Sequence, residues 1–133
     1  SLTAGMDYDV AKLDSDTSAT ANDKGRTLPQ VPRFTANGTA NYVFPIAGAI
    51  EGRLGATVQY VGHRFEDIGN TLPYQAYTLI NLQAAVLAPN NWEVMVYADN
   101  VTNRVVFYEL SGEVLGNYVN QPRTIGVRVS KNF

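Results

Sequence analysis

Polar and apolar side chains alternate with a two-residue period in six separate stretches of the chain, the signature of strands whose two faces meet different surroundings. From about Leu2 to Lys12, Leu2, Ala4, Met6, Tyr8 and Val10 oppose Thr3, Gly5, Asp7 and Asp9. From Phe34 to Phe44, Phe34, Ala36, Ala40, Tyr42 and Phe44 oppose Thr35, Asn37, Thr39 and Asn41. From Ile50 to Val61, Leu54, Ala56, Val58 and Tyr60 oppose Glu51, Arg53, Thr57 and Gln59. From Tyr77 to Ala88, Ile80, Leu82, Ala84 and Val86 oppose Asn81 and Gln83. From Trp92 to Ala98, Trp92, Val94, Val96 and Ala98 oppose Glu93, Met95, Tyr97 and Asp99. The last stretch sets Ile125, Val127, Val129 and Phe133 against Thr124, Gly126, Arg128, Ser130 and Asn132, with Lys131 breaking the apolar side.

The connections between these stretches alternate long, short, long, short, long. Asp14–Arg26 is polar and reads as a long mobile loop, Pro45–Ala49 as a Pro/Gly turn, Gly62–Gln75 as a mixed loop, Pro89–Asn91 as a tight turn, and Asn100–Asn120 as a long connection. An all-β, antiparallel up-and-down meander of about six strands follows, with short turns at one rim and long loops at the other. That asymmetry is the habit of outer-membrane barrels, whose short turns are periplasmic and whose long loops are extracellular.

Charge follows the same division. Glu51, Arg53, Glu93, Asp99 and Arg128 all fall on the polar side. An Arg or Lys facing lipid at mid-membrane would cost about 2–4 kcal/mol. Lys12 and Lys131 sit near strand ends, where long side chains snorkel. Aromatics gather at the ends as well: Phe44, Trp92 and Phe133 toward the short-turn rim, and Tyr8, Phe34, Tyr60 and Tyr77 toward the other. Two girdles are the membrane pattern. The terminal aromatic, Phe133, fits the periplasmic girdle. A soluble β-sandwich or small lipocalin-like barrel alternates too, its apolar face forming the core. The apolar faces here are rich in Ala and Gly, which would fill such a core thinly.

Composition removes several other classes. The 133 residues suffice for one domain. The net charge of −2 offers no electrostatic footprint for nucleic acid, and the absence of cysteine excludes disulfides and thiolate metal sites. No apolar run is long enough for a membrane helix, which leaves a β-barrel untouched. The single histidine, His63, and the lack of a phosphate loop or nucleophile elbow argue against an enzyme, so no catalytic residue and no cofactor are expected. Ser1–Ala4 has no basic segment followed by an apolar block, so any export signal is expected upstream or already removed.

Three segments carry a family resemblance. Trp92-Glu93-Val94-Met95-Val96-Tyr97-Ala98-Asp99-Asn100-Val101-Thr102-Asn103 resembles the penultimate-strand signature of TonB-dependent outer-membrane receptors. Gln121-Pro122-Arg123-Thr124-Ile125-Gly126-Val127-Arg128-Val129 resembles their closing strand, and Leu28-Pro29-Gln30-Val31-Pro32-Arg33-Phe34-Thr35-Ala36-Asn37 the approach to an earlier one. Lys131 stands where an aromatic is common, and Val101 where Leu is usual.

The resemblance implies that residues 1–133 are the C-terminal portion of a receptor whose 22-stranded barrel is closed by an N-terminal plug, and neither plug nor TonB box lies in this segment. It implies residence in the bacterial outer membrane and TonB-energised uptake of a scarce nutrient, foremost an iron–siderophore complex. A small soluble ligand-binding β-barrel or sandwich is the alternative. The partners implied are membrane lipid, the remaining barrel and plug, the TonB complex through the missing N-terminal region, and a small-molecule substrate such as a ferric siderophore. The barrel-assembly machinery is a further partner, reading Phe133 as its signal; no nucleic acid is expected. Ligand contacts are expected from the outer loops, with His63, Arg64, Arg104 and Tyr108 as candidates. No metal site of the protein's own is expected.

Overall fold

The computed structural model describes residues 1–18, 21–109 and 118–131. Phe133, expected as girdle aromatic and assembly signal, lies outside the described residues. Six strands form one antiparallel sheet in the order β1 (Leu2–Tyr8), β2 (Phe34–Ala47), β3 (Ile50–Val61), β6 (Tyr77–Ala88), β7 (Trp92–Asp99) and β10 (Thr124–Lys131). Two small ladders ride in the long connections: β4 (Arg64–Phe65) with β5 (Pro73–Tyr74), and β8 (Phe107–Glu109) with β9 (Tyr118–Val119). No helix occurs among the described residues. Each strand pairs with its neighbour in sequence, so the sheet is a simple meander.

Most of the expected boundaries hold, and two move for identifiable reasons. The first strand ends at Tyr8 rather than Lys12, because the chain turns away and Lys12 makes an isolated bridge to Thr27. The second strand runs through Pro45 to Ala47 instead of stopping at Phe44. Proline contributes no N–H, and the register slips between Pro45 and Ala47 before Gly48, at φ +57°, makes the turn. At the other short turn, Asn90 and Asn91 both adopt positive φ, the backbone that tight hairpins with right-handed twist require.

Register sorts the side chains into two faces across all six strands. One row runs Tyr42, Leu54, Ala84, Val96, Val127; the neighbouring row on the opposite face runs Asn41, Gly55, Gln83, Tyr97, Gly126. No described residue covers the apolar face. Leu2 remains 81% accessible, Val96 49% and Val127 67%. The soluble sandwich fails on this point: its apolar side chains would be packed under a second layer, whereas the buried apolar residues among those described are only Val61, Tyr74, Ala85 and Val106.

Side chains fill the sheet's gaps on both faces. The Phe44 ring lies over its cross-strand partner Gly52 on the apolar face, and the Tyr97 ring over Gly126 on the polar face, so a Cβ at either glycine would strike the ring. Aromatic cover of a strand glycine restores packing that glycine lacks. Phe44 also stacks on Tyr42, with centroids 5.7 Å apart. The polar face holds an ion pair between Arg53 on β3 and Glu93 on β7 (3.5 Å), which reaches across β6 above the buried Ala85.

Candidate functional site

The long connections meet one another at the rim opposite the short turns. The first loop, residues 9–33, docks on the second, residues 62–76. Asn70 and Thr27 exchange two hydrogen bonds: the Thr27 amide donates to Asn70 Oδ1 (2.9 Å), and Asn70 Nδ2 donates to the Thr27 carbonyl (2.9 Å). Arg26 donates to the Gly69 carbonyl (2.5 Å), and the Gln30 amide to the Phe65 carbonyl (2.8 Å). Asp67 shapes the second loop from within, accepting from the Leu72 amide (2.8 Å) and from the Thr71 amide and hydroxyl. These donors, the Leu72 amide foremost, hold its carboxyl below the usual carboxylate range. Asp23 is lowered in the same sense, chiefly by the Thr17 hydroxyl and amide.

Tyr74 is the centre of this rim and only 4% accessible. The Arg64 guanidinium lies 4.6 Å above its ring, and Arg64 Nε donates to Gln30 Oε1 (3.1 Å). Gln30 Nε2 in turn donates to Glu66 Oε2 (2.7 Å). The Tyr74 hydroxyl faces both Glu66 Oε2 and the Tyr108 carbonyl, the latter at 3.1 Å. A single tyrosine thus touches the second loop and the third, while its cation partner Arg64 touches the first.

Between the second and third loops lies a cavity of about 320 Å³, walled by Tyr74, Tyr77, Arg104, Val106 and Phe107. Its chemistry is amphipathic: aromatic and aliphatic walls with one guanidinium and tyrosine hydroxyls. Such a lining favours an anionic ligand with apolar surface.

The third loop is anchored by asparagines. Asn100, buried and at φ +50°, accepts from the Arg104 amide (2.9 Å) and donates to the carbonyls of Arg104 (2.9 Å) and Gln121 (3.1 Å). Its own amide donates to Asn81 Oδ1 (2.9 Å). Asn120 duplicates the tie, donating to the same two carbonyls. The loop's two ends are held together at the mouth of the cavity.

The structure therefore brings Arg64, Arg104 and Tyr108 to one region around Tyr74. Arg64 is only 7% accessible and engaged by Tyr74 and Gln30, whereas Arg104 is open to solvent. Tyr108 is exposed and contributes its carbonyl. His63 stands apart, exposed, with its ring edge-on to Phe65 at 4.9 Å. Sequence reading missed Tyr74 and Gln30 as site residues, and the Tyr74-Gln75-Ala76-Tyr77 pair of aromatics just ahead of a strand was the available signal. It also misplaced Tyr77. The pairs Val61↔Tyr77 and Tyr60↔Thr78 put Tyr77 on the polar face, so it lines the cavity and is not a lipid-side girdle residue. Phe44 and Trp92 do lie on the apolar face near the short turns.

The model of the family described as "TonB dependent receptor-like, beta-barrel" matches residues 1–101. The chain belongs to the TonB-dependent receptor β-barrel family. No curated protein sequence matches it. Among solved structures, it is similar to BauA, the ferric preacinetobactin receptor from Acinetobacter baumannii, with a TM-score of 0.78 and 20% identity over 96% of this chain. It is also similar to FyuA, the ferric yersiniabactin uptake receptor from Yersinia pestis, with a TM-score of 0.69 and 26% identity over 89% of this chain. The chain spans 19% of the length of each.

Proposed function

We propose that this chain is the C-terminal wall of an outer-membrane receptor for TonB-energised uptake, and that its substrate is a ferric siderophore. In this reading the remaining strands complete a 22-stranded barrel, an N-terminal plug closes the lumen, and the plug's own N-terminal region engages the TonB complex. Phe133 serves as the assembly signal. The observation that carries the reading is the division of the sheet into an uncovered, almost wholly uncharged face and a face holding Arg53, Glu93, Asp99 and Arg128. Only a barrel wall between hydrocarbon and a wet interior makes both faces comfortable. The rim cavity, with Arg104 and its tyrosines, supplies part of the outer ligand surface, and His63 adds an exposed polar group elsewhere on the second loop.

The test is uptake of radioactive iron by cells carrying the full-length receptor, supplied with ferric complexes of different net charge. Energised cells should accumulate an anionic ferric siderophore, and a protonophore should stop accumulation while leaving surface binding intact. Recovery of the receptor in a detergent-free soluble fraction, or uptake indifferent to the protonophore, would overturn the proposal.

A further inference from the structure

We propose that the cavity between the second and third loops is a subsite for one flat, anionic aryl arm of the substrate, and that the Arg104 guanidinium reads its charge. The subsite presupposes that the chain belongs to an uptake receptor, and it names the part of the ligand that the rim holds. At about 320 Å³ the cavity lies at the lower end of the roughly 300–1,000 Å³ that small-molecule sites occupy. Such a space admits a single ring with its substituents. A whole iron chelate, with several arms folded round the metal, stays outside. The walls set the shape of the guest: Pro73, Tyr74, Tyr77, Val106 and Phe107 present ring and aliphatic surface. Tyr74 and Val106 are buried, so that side of the cavity is formed before a ligand arrives. Aromatic walls favour a planar guest, which can stack on them or meet their edges.

Arg104 sets the charge. It is the one ionised group in the lining, and no acid stands there to neutralise it. Glu66, the carboxylate of the Tyr74 network, is taken up by Gln30 and the Tyr74 hydroxyl. The main chain of Arg104 is pinned: its amide donates to Asn100 Oδ1, and its carbonyl accepts from Asn100 Nδ2 and Asn120 Nδ2, each at 2.9 Å. Its side chain is exposed and donates to no described residue. A fixed stem carrying an uncommitted fork of donors matches a carboxylate bidentately. Because the stem is already ordered, binding costs less conformational freedom. Arg64 is unsuited to this task, being buried and held by Tyr74 and Gln30. The iron centre makes no demand on this cavity, so an aryl anion without metal should be enough to fill it.

The experiment employs the full-length receptor in non-ionic detergent, with dissociation constants from fluorine NMR titration, empty micelles as the blank, and folding followed by heat-modifiable gel migration. Three iron-free probes separate shape from charge: para-fluorobenzoate is flat and anionic, para-fluorobenzamide flat and neutral, and cyclohexanecarboxylate anionic but not flat, the last measured by competition. Para-fluorobenzoate should bind about tenfold more tightly than either companion, the scale of one charge-assisted pair or one well-seated ring. Arg104→Gln should weaken para-fluorobenzoate about tenfold and leave para-fluorobenzamide unchanged. Phe107→Leu, which removes a wall and keeps the charge, should weaken both fluorinated probes alike. Para-fluorobenzoate bound no better than its companions, or bound equally by Arg104→Gln, would overturn the subsite. These titrations need no energised membrane, so their failure leaves protonophore-sensitive uptake standing. Benzoate binding as expected, with uptake indifferent to the protonophore, would instead overturn the transport reading.

Discussion

Replacing Val96 by Arg places a cation at the middle of the surface assigned to hydrocarbon. Val96 is flanked by Ala84 and Val127 in its row and is 49% accessible. It lies four residues from Trp92 at the short-turn rim, roughly 14 Å along the strand. With strands tilted about 40°, this becomes about 10 Å along the membrane normal, close to the centre of an apolar band about 25 Å tall. The charge should therefore cost about 2–4 kcal/mol, roughly a 30- to 1,000-fold loss in the folding equilibrium. The control is Thr57→Arg, mid-strand on the opposite face between the uncharged partners Thr39 and Asn81. It adds the same guanidinium to the wet side and should cost under about 1 kcal/mol, because substitutions toward the lumen avoid hydrocarbon. Both values are read by reversible denaturant unfolding of the full-length receptor from lipid vesicles. Equal losses for the two variants, or a Val96→Arg loss below about 0.5 kcal/mol, would refute the assignment of faces.

Three other outcomes follow from particular contacts. Gly126→Val should destabilise the barrel by about 1–3 kcal/mol in the same unfolding assay, because the new side chain must displace the Tyr97 ring from its cross-strand seat. Asn100→Ala should leave the Arg104 amide without its acceptor and remove one of the two donors to the Arg104 and Gln121 carbonyls, which Asn120 still serves, a loss of about 1–3 kcal/mol. Trypsin should then cut at Arg104 faster than in the parent. The lowered pKa of Asp67 makes its contribution to the second loop complete above the ordinary carboxylate value of about 4 and lost as pH falls through the lower folded value. Amide exchange at Thr71 and Leu72 should therefore accelerate below about pH 4, and Asp67→Asn should abolish that pH dependence.

The six main strands were legible because each carries its own alternation, and a strand boundary is a local event marked by Gly, Pro or Asn. Leu54–Val58 and Val94–Ala98 declare their faces without reference to any neighbour. The second strand was read short because proline is normally a stop signal, whereas here Pro45 is tolerated where the ladder slips. The rim was legible only in fragments. Arg64, Arg104 and Tyr108 attract notice as polar residues in loops, but Tyr74 acquires its meaning from Gln30, 44 positions away, and from Tyr108, 34 positions away. Nothing periodic links those positions. Asn100 was visible as part of a family-like string, yet its task, clamping both ends of a 20-residue connection, depends on a left-handed backbone that the sequence does not display.

The ion pair strung over β6 has a further reach. Hydrogen-bond ladders join a strand only to its immediate neighbours, whereas Arg53 and Glu93 link two strands that never touch. Sliding β3 against β7 would pull those charges apart, so the pair resists shear between alternate staves of the wall. A bulky residue in place of Ala85 would wedge the charges asunder, which makes permissible size at one site contingent on charge at two others.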